Sequence, residues 1–294
     1  FVKEPFYVPE LALGSFVASG EKMKDKTAAE AIRAACSGKD AVAASVEKQE
    51  KSTAPPKLFD LTSLQREANK LFGYTAQQTL DYTQSLYEKK LCTYPRTDSQ
   101  CLPAGRQEKV TAVIAAERSK LDFAEQLPAI HDITQVLDDE KITDHHAIIP
   151  TAGIRSFSLD SLPGGEYSLL MLLIARLLCA VGAPREYAET KLRIACEGRS
   201  YTTKGREVKS EGWRAIQKRF HPDAAKDEKS IAPLPEVREG DVLPSVRASL
   251  KQGKISPPKH FTEDFLPSAM ESAGGMEGLV DVEHLSLIHI SEST

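Results

Sequence analysis

The sequence predicts an α+β protein of about two domains, and three observations predict it. Capping signals and apolar stripes mark helices between residues 61 and 125 and again from Tyr167 to Val181. From Tyr187 the apolar period falls toward two, and glycines at 198, 205 and 212 punctuate short strands of a twisted antiparallel sheet. The 294 residues, 41% hydrophobic and 27% charged, are enough to bury a core and too apolar for a disordered tail.

The same composition excludes several classes. A formal charge of −4 gives no global basic field, so any surface for nucleic acid must be local. The cysteines at 36, 92, 101, 179 and 196 form no CxxC pair and have no His at zinc-finger offsets. That argues against a disulfide framework and a structural zinc, and suits reduced thiols in a cytoplasmic protein. The longest apolar run, Tyr167 to Ala183, is about 17 residues and is interrupted by Arg176, so it reads as a buried helix and not a bilayer span. Phe1-Val-Lys-Glu-Pro is neither basic nor long enough for a signal peptide, and a start without Met is expected of a piece cut from something longer.

In chain order, residues 1–16 read as extended, with Pro5 and Pro9 as breakers and Phe6, Val8, Leu11 and Leu13 alternating. Residues 21–39 hold one helix, carried by Ala28, Ala29, Ile32 and Ala35 and closed at Ser37-Gly38-Lys39. Val42 and Val46 fit a strand, and Ser52-Thr-Ala-Pro-Pro56 a linker. Thr62-Ser-Leu-Gln65 reads as a capping box, followed by the stripe Leu64, Ala68, Leu71 and Phe72 and a stop at Gly73. Thr75-Ala-Gln-Gln78 is a second box, opening a helix with Leu80, Leu86 and Tyr87 on its buried side and Lys89 and Lys90 at its end. Two capped helices about a turn make a helix-turn-helix, a corner that many helical domains share with DNA binders. Residues 104–125 form a further helix with Val110, Val113, Ile114 and Leu121 apolar. Asp223 to Pro235 is a charged loop, residues 237–256 read as strands, and Phe261 to Ala273 as a last helix.

The chemistry concentrates in Leu91-Cys-Thr-Tyr-Pro-Arg-Thr-Asp-Ser99. Pro95 holds Tyr94 extended directly after a helix, and Arg96 falls on the same side of an extended segment. A phenol beside a guanidinium suits a phosphodiester, the arginine binding phosphate while a nucleophile attacks. The same spacing also fits a half-buried tyrosine and a solvated arginine in a turn. The second stretch is Thr143-Asp-His-His-Ala-Ile-Ile-Pro150, where a His can orient or protonate a phosphate oxygen or sit hydrogen-bonded with no catalytic part. Adjacent His side chains on an extended segment point apart, which disfavours a metal site. Between Arg185 and Arg219 ten basic residues meet five acidic ones, a balance that suits a phosphate track or a merely solvated face.

Together these stretches resemble the type IA DNA topoisomerases, in their bacterial topoisomerase III-like branch. The resemblance rests on Pro55-Pro-Lys-Leu-Phe-Asp-Leu-Thr-Ser-Leu-Gln65, Leu86-Tyr-Glu, Thr93-Tyr-Pro-Arg-Thr-Asp-Ser99, His145-His-Ala-Ile-Ile-Pro-Thr151, Gly212-Trp213 and Ser256-Pro-Pro-Lys-His-Phe-Thr-Glu263. It covers residues 1 to 274 and implies an ATP-independent enzyme in which Tyr94 cleaves one strand and holds its 5′-phosphate. Arg96 would grip that phosphate, His145 would match the histidine of the family's His-x-Ala-Ile segment, and His146 is the second choice. Gln65, Gln84 and Thr97 would line the DNA path.

The resemblance further implies that residues 54–186 are a helical domain carrying the tyrosine on its helix-turn-helix. This domain is inserted in a β-rich arch formed by 1–53 and 187–252, and 253–294 begin another helical domain. The family's Mg²⁺ would be held by an acidic TOPRIM domain that nothing here matches, so this piece alone is expected to be inactive. The tail Leu285-Ser-Leu-Ile-His-Ile-Ser-Glu-Ser-Thr294 looks foreign to the family. The implied partner is single-stranded DNA, met by a monomer in the cytoplasm at the nucleoid, with no membrane.

Overall fold

A computed structural model describes residues 4–222 and 231–255. The expected helix at 261–273, the domain beginning at 253 from its fourth residue on, the Ser256–Glu263 motif and the tail 285–294 lie outside the described residues. In chain order the first half runs β1 (Pro5–Leu13), β2 (Phe16–Ser19), α1 (Lys26–Cys36), β3 (Ala41–Thr53), α2 (Leu61–Phe72), α3 (Ala76–Glu88) and α4 (Gln107–Arg118). The second runs α5 (Gly164–Ala180), β4 (Arg185–Cys196), β5 (Arg199–Ser210), α6 (Trp213–Phe220), β6 (Val242–Leu243) and β7 (Arg247–Lys254). The elements divide into two compact units, 4–55 with 182–255 and, between them in sequence, 56–181.

The first unit is one sheet of seven strands, ordered β6-β3-β4-β5-β2-β1-β7, with every pairing antiparallel. Its core gathers Leu11, Leu13, Ala41, Ala43, Leu192, Ile194 and Tyr201 from alternate strand positions, with Cys36 of α1. Strand β1 runs through both of the prolines expected to break it. The Pro9 carbonyl accepts from Gly20 N–H at 2.8 Å, so the side lacking an N–H faces residues where the β2 ladder, starting at Glu10–Ser19, has already stopped. Val42 and Val46 both lie in the strand expected of them, β3, but on opposite faces. A bulge between Ala43 and Ser45 shifts the register, so Val46 packs on the core while Val42 is exposed and its alanine neighbours are buried. The strand also absorbs the start of the expected linker, because Ser52 and Thr53 pair with Glu186 and Arg185.

In the second unit, α2 starts one residue before the expected box. Asp60 is the cap, accepting from Ser63 N–H at 2.7 Å while Ser63 Oγ accepts from Asp60 N–H at 3.2 Å. Gly73 ends the helix at φ 72°, a conformation without steric cost only for glycine. The α3 box is as expected, Thr75 and Gln78 exchanging bonds of 3.1 and 3.0 Å. Its buried side is more polar than expected: Thr79 and Thr83 are fully buried, each hydroxyl donating to the carbonyl four residues back. Arg176, midway along the buried α5, places its guanidinium 3.9 Å over the Phe59 ring, 3.8 Å from Glu67, and donates to the Lys57 carbonyl. Lys89, capping α3, meets Glu166 of α5 at 2.6 Å.

Helix α4 buries Val110, Val113 and Ile114 as expected, and also Glu117, whose two carboxylate oxygens have no hydrogen-bond partner among the described residues. Burial pushes this carboxyl well above the ordinary carboxylate range. The native state thus keeps a proton that the unfolded chain loses above about pH 4.3, and native stability falls as pH rises past that point. Glu117→Met is expected to raise stability at pH 7 by about 1–3 kcal/mol, with a gain that shrinks toward pH 4. Urea melts at both pH values check it, and a gain that grows on acidification would contradict the account.

Candidate active site

The site grows from the C-terminal end of α3. Lys90 takes a left-handed conformation at φ 61°, Leu91 N–H donates back to the Leu86 carbonyl at 2.9 Å, and the chain leaves the helix extended. It then runs beside residues 147–151. Thr93 N–H donates to the Ile149 carbonyl at 2.9 Å and Thr151 N–H to the Leu91 carbonyl at 3.0 Å. The Thr93 hydroxyl adds two bonds of 3.0 Å, donating to the Ala147 carbonyl and accepting from Ile149 N–H. Phe59 accepts from Ile148 N–H at 2.8 Å and Thr97 from Leu61 N–H at 3.0 Å, so the lead-in to α2 joins the same lattice.

This lattice brings Tyr94 and His145 together, their ring centroids 4.5 Å apart. Tyr94 is half-buried and His145 exposed. Thr97 holds the histidine's backbone, its hydroxyl donating to the His145 carbonyl at 2.7 Å. On the other flank Tyr87 stands edge-on to Tyr94 at 5.5 Å. Tyr94, His145, His146 and Arg106 line a cleft of about 360 Å³, with Asp144, Pro103 and Ile142 completing its wall.

The remaining sequence candidates are placed less centrally. Arg96 is exposed, outside this cleft wall, and has no ion-pair partner among the described residues. His146 is half-buried, with Nδ1 2.9 Å from the Ala147 carbonyl. Gln65 is committed to the Ala76 carbonyl at 3.0 Å, joining α2 to α3, and Gln84 to Glu88 at 3.0 Å. Sequence reasoning missed Tyr87, which apolar spacing assigned to the buried side, and Arg106, which stands in no motif.

The basic stretch 185–219 lies in the sheet unit, where four of its cations, Arg185, Arg206, Lys209 and Lys218, sit in ion pairs. Glu189 takes Lys51 at 2.5 Å and Arg206 at 3.9 Å, Glu211 takes Lys218 at 2.5 Å, and Lys209 pairs with Glu50.

A half-buried phenol against an imidazole, beside an arginine, is equipped to attack a phosphate ester. A family model described as DNA topoisomerase matches residues 1–276. The chain belongs to that family. Its relatives place it in the type IA, topoisomerase III-like branch. The DNA topoisomerase 3 of Bacillus subtilis (strain 168) is 36% identical over 247 residues, 80% of this chain and 33% of that protein. That of Bacillus licheniformis is 36% identical over 261 residues, 84% of this chain and 34% of that protein. The chain thus spans about a third of the length of these relatives. Full-length topoisomerase I from Thermotoga maritima shares the fold, with a TM-score of 0.69 at 20% identity over 93% of this chain and 45% of that one. Among the described residues no helix is long and apolar enough to cross a membrane.

Thr93→Val keeps the side-chain shape but leaves the Ile149 N–H without its side-chain partner and removes one of the two bonds at the Ala147 carbonyl. It is expected to destabilise the unit of 56–181 by about 1–3 kcal/mol and to separate the Tyr94 and His145 rings. Chemical denaturation and ring-proton contacts by NMR check the two effects.

Proposed function

We propose that this topoisomerase-family chain is the tyrosine-bearing part of an ATP-independent type IA enzyme that cleaves one DNA strand, passes a strand and religates. The observation that carries the proposal is the Tyr94 ring lying 4.5 Å from His145 in a cleft that also presents Arg106. Tyr94 Oη attacks the phosphorus, the P–O3′ bond breaks, and a 5′-phosphotyrosine and a free 3′-hydroxyl result. The new ester conserves the energy of the old one, so the 3′-hydroxyl reverses the step without a nucleotide cofactor. A phenol is a weak nucleophile until it loses its proton, so the step needs a group to take that proton and others to bear the developing charge. In this reading Arg96 grips the phosphate and His145 orients or protonates its oxygen. His146, Thr97, Gln65 and Gln84 border the strand, and the α2–α3 pair acts as a helix-turn-helix that presents Tyr94 to it.

The sheet unit would serve as the arch, and the partner would be single-stranded DNA met by a monomer at the nucleoid. The family's Mg²⁺ does not fit this chain's donor set: among the described residues no group of three or more His, Cys, Asp or Glu is placed to hold a metal. No step above passes through the ion, which this reading assigns to an acidic TOPRIM segment outside these residues.

The 294 residues alone are expected to bind single-stranded DNA weakly, with affinity that falls steeply with salt and varies little with base sequence. They should not relax supercoiled plasmid, with or without Mg²⁺. Joined to a TOPRIM segment and the downstream part of a relative, they should relax it and form a 5′-linked adduct. Tyr94→Phe should abolish both and leave binding intact. Relaxation by the 294 residues themselves, a 3′-linked adduct, or a flat salt response would each count against the proposal.

A further inference from the structure

A second cleft, of about 270 Å³, adjoins the one at Tyr94, and Arg106 and His146 line both. Its walls are the apolar side chains of Leu102, Val110, Val113 and Ile149. The hydroxyls that reach it are already committed: Thr93 to residues 147 and 149, and Thr151 to the Lys90 carbonyl. The cleft therefore offers contact surface with little capacity to read polar edges. At its mouth Arg106 and Lys109 are exposed, and neither has an ion-pair partner among the described residues.

An apolar slot beside unpaired cations, continuous with the wall that holds a reactive tyrosine, matches the alternation of base and phosphate along a single strand. We infer that this second cleft is a nucleobase subsite, which takes one base of the strand lying at Tyr94 while Arg106 and Lys109 hold the neighbouring phosphate. The inference rests on the reading of Tyr94 as acting on DNA and adds to it where one base goes. Because the wall makes apolar contact and not hydrogen-bonded readout, the subsite accepts any base and senses only that one is present.

The test compares two single-stranded oligonucleotides of equal phosphate count, one of thymidines and one abasic throughout, by titration against the 294-residue chain. The thymidine strand is expected to bind about tenfold more tightly. Ala112 is exposed on α4 and lines the cleft, so Ala112→Leu fills it without disturbing the core. That variant should bind both strands as the parent binds the abasic one, whereas Arg106→Ala should weaken binding to both strands. A preference for thymidine that survives Ala112→Leu, or no preference in the parent, would overturn the subsite and leave the DNA reading standing. Failure to bind either strand would overturn both. A concentration-dependent dimer lost in Ala112→Leu would give the cleft to a second copy of the chain and overturn the subsite.

Discussion

An extended stretch that follows a helix and joins no large sheet must still pair its amides and carbonyls, since a buried one left alone costs about 1–3 kcal/mol. From Leu91 to Cys101 the partners come from residues 147–151 and from Leu61, with the Thr93 and Thr97 hydroxyls supplying further links. Backbone pairing fixes the two segments side by side, and the ring contact between Tyr94 and His145 is its by-product. Phe59, held in the lattice through Ile148 and covered by the Arg176 guanidinium, ties α5 to the same arrangement. A charge that looks like a flaw in an apolar helix thereby joins α5 to α2 and the segment that leads into it.

Across β4 and β5 glutamates alternate with lysines and arginines, and ion pairs engage Arg206 and Lys209, while Lys191, Arg193 and Arg199 have no ion-pair partner among the described residues. Near Tyr94 the basic residues Arg96, Arg106 and Lys109 are fewer, yet each is exposed without an ion-pair partner among the described residues. Exposed ion pairs stabilise little, but they cancel a field effectively, so the count of basic residues in a stretch says less about phosphate affinity than their pairing does.

Local chemistry explains which features were legible. The Thr75–Gln78 box, the Gly73 stop and the buried α5 follow from contacts within one or two turns, and a short window of sequence contains all the participants. The Asp60 cap was misplaced because Thr62 offers an equally plausible oxygen two residues on, and only the extended backbone set by Phe59 decides between them. The opposite facing of Val42 and Val46 is not written in β3, because the bulge after Ala43 is a property of the β3–β4 pair. Pro5 and Pro9 read as breakers until the neighbouring strand's length is known. Of the cleft, the aromatic and histidine motifs stand out in sequence. Arg106 and Tyr87 reach Tyr94 only through the fold, and their neighbourhoods carry no pattern beyond an ordinary helix end and an apolar stripe.

Strands β3 and β4 are neighbours, Thr53 opposite Arg185, although the whole of residues 56–181 separates them in the chain. During synthesis β3 therefore emerges with neither of its sheet partners, since β6 comes later still. At ordinary translation speed the wait is on the order of ten seconds, long enough for a bare edge to find the wrong partner. The outer half of β3 is charged at Glu47, Lys48, Glu50 and Lys51, which opposes pairing with another nascent chain. Meanwhile residues 56–181 of the helical unit are already made and can fold before β4 emerges to meet a strand kept apart for it.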